Sequence, residues 1–261
     1  MQQVKPKKSL GQHFLTDMNI ASEIAGTISE FKDLPVLEVG PGMGVLTQFL
    51  IESNHDLQVV ELDTESVDYL NSNFPQLEGK IIEADFLKLN LDDLFPGKFC
   101  IIGNYPYNIS SQIFFKVLDY RDKVVCCTGM LQKEVAERIA AGPGSKTYGI
   151  LSVLLQAWYD IEYLFTVPEH VFNPPPKVKS GVIRLIRNKN TDLGCDEKLF
   201  KSVIKTSFGQ RRKTLRNSLR GLFDKENQVL QDSIFQKRPE QLSVSDFVNL
   251  TNIISSNRCK Q

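Results

Sequence analysis

Residues Pro35 to Gly44 read Pro-Val-Leu-Glu-Val-Gly-Pro-Gly-Met-Gly, a short apolar run entering a glycine-rich turn, and Val45 to Ile51 continues with amphipathic helical spacing. A buried strand, a tight turn and a helix in succession open a parallel α/β unit. The alternation then repeats along the chain. Strands are expected near residues 35–40, 57–62, 80–85, 98–104, 123–130, 161–167 and 179–187, with helices at 17–31, 44–53, 64–73, 110–119, 131–141 and 147–158. The pattern predicts an α/β fold in which a Rossmann-like, mostly parallel sheet carries helices on both faces and holds its ligand at the carboxyl ends of the strands.

The glycine turn narrows the ligand. A dinucleotide fingerprint needs its third glycine where Val45 stands, because here the glycines fall at Gly40, Gly42 and Gly44. No Gly-Lys-Ser/Thr follows, so a P-loop is excluded as well. The remaining fit is the loop of an S-adenosylmethionine enzyme, whose cofactor lacks phosphate and needs close backbone approach to its methionine part. Two acids support this. Gln58 to Asp63 is a second strand ending in Glu61, about twenty residues past the glycines, where a carboxylate can take both ribose hydroxyls. Lys80 to Phe86 is a third strand ending in Asp85, placed to accept from the cofactor's adenine amino group. Taken singly, either acid also reads as a solvated strand end. Three strands each ending in a required group favour the cofactor.

A second site lies at residues 101 to 107, Ile-Ile-Gly-Asn-Tyr-Pro-Tyr, an apolar strand running into Asn104-Tyr105-Pro106-Tyr107. It gathers a carboxamide, a carbonyl followed by proline and an aromatic ring at one strand end, which suits a planar amine such as adenine. The exocyclic N6 is a poor nucleophile because its lone pair is delocalised into the ring. Two acceptors, Asn104 Oδ1 and the Tyr105 carbonyl, would hold its hydrogens while the nitrogen becomes more tetrahedral, and no strong base is needed. Tyr107 would stack on a base that has left its helix. The same tetrapeptide is also ordinary turn chemistry.

Composition fits a globular protein with a sizeable core, since 24% of residues are charged and 41% hydrophobic over 261 residues. No apolar run long enough for a membrane span occurs, and Met1 to Lys8 is basic and polar without the apolar stretch of a secretory signal. The cysteines form no C-x-x-C pair, and Cys100, Cys126 and Cys127 fall inside apolar strands, as expected of buried thiols in a reducing cytoplasm. His13, His55 and His170 are scattered, so no metal site is expected. The 31 basic and 31 acidic residues cancel, yet they are unevenly placed. Lys5, Lys7 and Lys8 precede the first acid, and Lys198 to Arg220 includes Arg211, Arg212, Lys213, Arg216 and Arg220 without one acid. Such a block reads either as a solvated face or as a polyanion-binding surface, and interleaving with Phe208, Asn217 and Ser218 favours phosphate contacts.

After Arg187 the character changes. Asn188 to Gly194 is a polar linker, and helical periods follow near 197–207, 211–223, 226–235 and 243–256. The expected organisation is therefore a methyltransferase domain over residues 1–189 and a small helical domain over 190–261 that recognises RNA.

Across nearly its whole length the chain resembles the small-subunit ribosomal RNA adenine dimethyltransferases. The resemblance rests on seven blocks in family order: Lys8 to Leu15, Glu38 to Gly42, Val60 to Asp63, Gly103 to Ser110, Met130 to Val135, Phe172 to Val178 and Gln210 to Asn217. It implies transfer of four methyl groups from S-adenosylmethionine to two adjacent adenosines of a hairpin near the 3′ end of 16S rRNA, late in small-subunit assembly; a monomer in the cytoplasm is expected beside it. It also implies that Phe172 forms a second aromatic wall beside Asn104 and Tyr107, and that Gln12, His13 and Leu15 join Gly40, Gly42, Glu61, Asp85 and Asn104 at the cofactor. Members often carry Asn in place of His13 and Leu in place of Tyr105. Two other classes share parts of this chemistry. A methyltransferase acting on large-subunit rRNA or DNA is disfavoured by the Phe172 block and the helical tail, and a non-catalytic assembly factor by intact Glu61, Asp85, Asn104 and Tyr107.

Overall fold

The computed structural model describes residues 4–7, 10–223 and 228–257. The chain divides into two compact units, Met1–Glu137 with Asp160–Arg187, and Arg138–Tyr159 with Asn188–Gln261. The strands in chain order are β1 (Phe14–Leu15), β2 (Val36–Val39), β3 (Leu57–Glu61), β4 (Ile81–Glu83), β5 (Phe99–Asn104), β6 (Val124–Gln132), β7 (Tyr159–Val167), β8 (Phe172–Asn173) and β9 (Ser180–Arg187). Helices α1 (Met18–Gly26), α2 (Thr47–Glu52), α3 (Thr64–Asn73), α4 (Ser110–Asp119), α5 (Lys133–Ala140) and α6 (Ile150–Gln156) alternate with them, followed by α7 (Glu197–Gly209), α8 (Leu215–Ser218) and α9 (Val244–Asn257).

In the first unit seven strands form one sheet in the order β4-β3-β2-β5-β6-β9-β7. β2 through β6 run parallel, and β9 lies antiparallel to β6. All seven strands expected from the sequence are present. The four residues of β2 are all buried, as are Phe99 to Gly103 of β5, which is the pattern of central parallel strands covered on both faces. Helices cover them by the 3.6-residue period. α4 buries Ile113, Phe114, Val117 and Leu118, and α1 buries Ala21, Ile24 and Ala25 beneath the N-cap of Asp17, whose carboxylate accepts from the backbone N–H groups of Asn19 and Ile20.

The strand order reverses between β2 and β5, because β2 has β3 on one side and β5 on the other. That switch point opens a crevice at the carboxyl ends of the strands. Register places the functional termini together, with Glu38 opposite both Val59 of β3 and Ile102 of β5, so Gly40, Glu61 and Asn104 emerge at one edge. A small ladder not foreseen from the sequence joins β1 to β8 and pairs Leu15 with Phe172. Two-residue strands carry too little periodicity to be legible.

The second unit differs from expectation in its limits and in its helices. Arg138–Tyr159 belongs with the C-terminal segment and not with residues 1–189, because α6 is apolar nearly all round, burying five consecutive residues from Leu151 to Leu155, and it packs with α7 and α9. α7 starts at an Asp196 N-cap, buries Leu199, Phe200, Val203, Ile204 and Ser207, and leaves Lys198, Lys201 and Lys205 exposed. Phe208 and Phe247 of α9 stack with ring centroids 6.0 Å apart. The helix expected at 211–223 is reduced to α8 and a 3-10 turn at Arg220–Leu222, while Arg211 to Lys213 form a turn. The helix expected at 226–235 is replaced, over its described residues, by 3-10 turns at Gln228–Gln231 and Ser233–Gln236. Asp232 accepts from the Ile234 N–H, a local bond that competes with helix propagation.

Candidate active site

The crevice at the switch point is lined from three directions. Leu10 to Phe14 come from the N-terminal arm, Val39, Gly40, Gly42, Val60, Glu61, Leu62 and Ala84 to Leu87 from the ends of β2, β3 and β4, and Asn104 to Ile109 from the end of β5. Gly42 has φ +55°, and an added Cβ would sit 2.9 Å from the Phe14 ring, so the turn needs glycine on both counts. Its N–H donates to Glu61 Oε2 at 3.0 Å. Glu61 Oε1 accepts from the N–H groups of Leu62 and Asp63 at 2.8 and 2.9 Å. Burial pushes its carboxyl above the usual range, and the three N–H donors oppose that shift by favouring the charged form. A carboxylate has about four acceptor directions, so three backbone bonds leave roughly one for a ligand hydroxyl.

Asp85 reaches the same crevice after β4. Its Oδ1 accepts from the Leu87 N–H at 3.0 Å, which orients the carboxylate at the start of a 3-10 turn. Behind Glu61, Asp63 is buried and takes hydrogen bonds from Lys7 Nζ, Gln12 Nε2 at 3.4 Å and Ser66 Oγ at 2.9 Å. Burial works against its charge, yet these bonds hold its carboxyl below the ordinary value. Gln12 also accepts the Lys7 N–H at 2.8 Å, so the side chain ties the arm to α3 while lining the crevice. Glu38, inside β2, is fully buried, and desolvation pushes its carboxyl up to about 8 although Thr47 Oγ1 donates to it at 2.7 Å. Neither the Lys7–Asp63 tie nor the protonated Glu38 was read from the sequence, and the acid within Val60-Glu61-Leu62-Asp63 is the signal that could have pointed to the first.

At the end of β5, Asn104 Nδ2 donates to the His13 carbonyl at 3.1 Å. That bond fixes the carboxamide so that Oδ1 is the atom left to accept from a ligand. Tyr107 follows two residues after Tyr105, and its hydroxyl lies 2.5 Å from Ser180 Oγ. Burial pushes the Tyr107 phenol above its ordinary value, against the Ser180 hydrogen bond, so the ring stays neutral. Tyr105 points elsewhere. Its side chain is 1% exposed, its hydroxyl donates to the Thr128 carbonyl at 2.7 Å, and its ring fills the space over Gly103 and Gly129, where added Cβ atoms would come within 3.0 and 2.8 Å. A larger residue is accommodated at this position because the core, not the crevice, receives it.

Other expected site residues differ in their surroundings. Phe172, the expected second aromatic wall, is 4% exposed, pairs with Leu15 across the β1–β8 ladder and packs with it in the hydrophobic core. Leu15 is buried in the same core, and its neighbour Phe14 faces the crevice instead, as strand alternation requires. Of the expected RNA-binding cations, Lys7 is paired with Asp63 and with Glu65 at 3.1 Å, Lys5 is exposed, and Lys8 lies outside the described residues. Arg211 is committed to its own unit. It donates to the Ser145 carbonyl at 3.2 Å, lies 3.9 Å from Glu240 and packs over the Phe208 ring. Arg212, Lys213, Arg216 and Arg220 are exposed. Among the described residues no cluster of His, Cys, Asp or Glu could hold a metal, and no helix is long and apolar enough to cross a membrane.

Comparison with known proteins identifies the family. The ribosomal RNA adenine dimethylase family pattern matches residues 3–256. A "Ribosomal RNA small subunit methyltransferase A" from Parabacteroides distasonis is 70% identical over all of this chain and 98% of its own length. Among solved structures, a dimethyladenosine transferase from Plasmodium falciparum superposes with a TM-score of 0.79 at 25% identity, covering 94% of this chain and 98% of that one. The 23S rRNA methyltransferase ErmE gives 0.67 at 25% identity, covering 92% and 99%. With a family match over residues 3–256 and a 70% identical relative covered over nearly its full length, this chain belongs to the ribosomal RNA adenine dimethylase family.

Proposed function

We propose that the protein transfers four methyl groups from S-adenosylmethionine to N6 of two adjacent adenosines in the 3′-terminal hairpin of 16S rRNA, late in small-subunit assembly. The observation that carries this reading is Asn104, whose Nδ2 is held by the His13 carbonyl so that Oδ1 remains as acceptor beside the Tyr107 ring. The small-subunit target follows from the 70% identical relative, against 25% for the large-subunit enzyme.

The residues present fit the cofactor. The Gly40 to Gly42 turn offers bare backbone for the methionine part, Glu61 one acceptor direction for a ribose hydroxyl, and Asp85 an acceptor for the adenine amino group. S-adenosylmethionine supplies an electrophilic methyl group when bound. Asn104 Oδ1 and the Tyr105 carbonyl accept the two N6 hydrogens of the target base and favour the tetrahedral nitrogen whose lone pair attacks. Tyr107 holds the base by stacking, which offsets a few kcal/mol of unstacking by about 1–3 kcal/mol. Once the methyl group has arrived, the nitrogen's proton is acidic enough to leave to water, so the site needs no strong base.

Substrate choice belongs to the unit that contains residues 190–261, where exposed Arg212, Lys213, Arg216 and Arg220 offer cations to rRNA phosphates. A monomeric, cytoplasmic protein is part of this reading. The test is methyl transfer to purified subunits from cells lacking the protein, mapped by primer extension. Two adjacent stops near the 3′ end of 16S rRNA are expected. Labelling of large subunits alone would instead establish the reading favoured by the likeness to ErmE.

A further inference from the structure

His13 stands where members of the family often carry Asn, and its side chain is engaged by Pro174 and Tyr107. Nδ1 lies 2.8 Å from the Pro174 carbonyl oxygen, and since a carbonyl only accepts, Nδ1 carries the hydrogen. The imidazole stacks on Tyr107 with centroids 5.3 Å apart and planes at 29°. Tyr107 is held a second time through its hydroxyl, 2.5 Å from Ser180 Oγ, and Ser180 is fully buried at the start of β9. The ring is therefore fixed at its tip by Ser180 and along one face by His13. The backbone carbonyl of His13 meanwhile holds Asn104 Nδ2. One residue thus touches both groups that face the base, its main chain setting the carboxamide and its side chain setting the aromatic plane.

We propose that the His13 side chain is a positioning residue for the target adenine, acting through Tyr107, and that it contributes little to cofactor affinity. The proposal rests on the adenine-pocket reading above. An asparagine could donate to the Pro174 carbonyl but has no ring to lay against Tyr107, so stacking is the property that histidine adds at this position. Without the His13 ring, Tyr107 keeps its hydroxyl bond to Ser180 at the tip and loses the stack along its face. With His13 packed against it, the ring cannot tilt without breaking either the stack or the hydroxyl bond.

Three variants separate the contacts. His13→Asn retains a hydrogen-bond donor and loses the ring, His13→Phe retains the ring and loses the donor, and His13→Ala loses both, while all three keep the backbone bond to Asn104. Steady-state methylation of unmethylated small subunits and calorimetric titration with S-adenosylmethionine are the measurements. An aromatic pair is worth about twofold to tenfold, so kcat/KM for subunits should fall by that factor in His13→Ala and His13→Asn and recover in His13→Phe, with the cofactor Kd within about twofold throughout. A cofactor Kd weakened in step with kcat/KM would overturn the proposal by making His13 a cofactor contact. A His13→Phe variant as impaired as His13→Ala would overturn it as well, by showing that the ring is irrelevant. Tyr107→Ala serves as the control for the pocket: full activity there refutes the adenine reading itself, whereas loss in Tyr107→Ala with unimpaired His13→Ala refutes only the role of His13.

Discussion

Replacing Arg212 and Lys213 together by Ala should flatten the salt dependence of subunit binding by about 1.4–1.8, because each phosphate contact contributes roughly 0.7–0.9 to the slope of log affinity against log salt. The structure sets the number of contacts. Three consecutive cations stand at 211 to 213, but Arg211 is half-buried, hydrogen-bonded to the Ser145 carbonyl, close to Glu240 and laid over Phe208, so it has little freedom to reach a phosphate. Arg212 and Lys213 are exposed in the turn before α8. Arg211→Ala should therefore leave the slope nearly unchanged and lower the stability of its unit, since it strips packing and a hydrogen bond from Phe208 and Ser145. Filter binding of wild type and both variants to small subunits, across a series of potassium chloride concentrations, reads the slopes directly. Calorimetric titration with S-adenosylmethionine should show unaltered cofactor affinity. A slope change in Arg211→Ala equal to that of the double variant would refute the division of labour, and no change in either would return the cluster to a solvated face.

Three further outcomes follow from the site. Glu61→Ala should weaken S-adenosylmethionine by about 1.5–3 kcal/mol, the range for a hydrogen bond to a charged group, with Glu61→Gln milder; an unchanged Kd by calorimetry would remove Glu61 from the cofactor site. Glu38 is held protonated up to about pH 8 in the folded protein but ionises near its ordinary value of 4.5 when unfolded, so the unfolded state binds fewer protons between those limits and stability falls as pH rises through them. Each pKa unit is worth about 1.4 kcal/mol, and Glu38→Gln should flatten this decline in urea denaturation between pH 5 and pH 8; parallel curves for the two proteins would contradict it. Phe172→Ala should cost about 3–5 kcal/mol of stability because the ring is buried in the core, and an unchanged urea midpoint would contradict that packing.

The sequence alone was sufficient for the sheet and for the residues that stand at its strand ends. Val36 to Val39 and Phe99 to Gly103 read as central strands because short, mostly apolar runs that end in turn-forming residues suit a position covered on both faces, and the identity of the residue at each strand end is local information. Gly42, Glu61, Asp85, Asn104 and Tyr107 were legible for that reason, and all five line the crevice. What the tertiary structure decided concerns pairs far apart in the chain. Lys7 reads as a free cation until Asp63, 56 positions later, is folded against it, and Arg211 reads as an RNA contact until Ser145 and Glu240 arrive. Phe172 belongs to the core because a two-residue ladder pairs it with Leu15, and such a ladder leaves no periodic trace in either segment. The three-residue joint of His13, Tyr107 and Ser180 is likewise invisible in the sequence, because charge, hydrogen-bond partners and ring contacts are properties of neighbours in space, whereas strand and turn preferences are properties of neighbours along the chain.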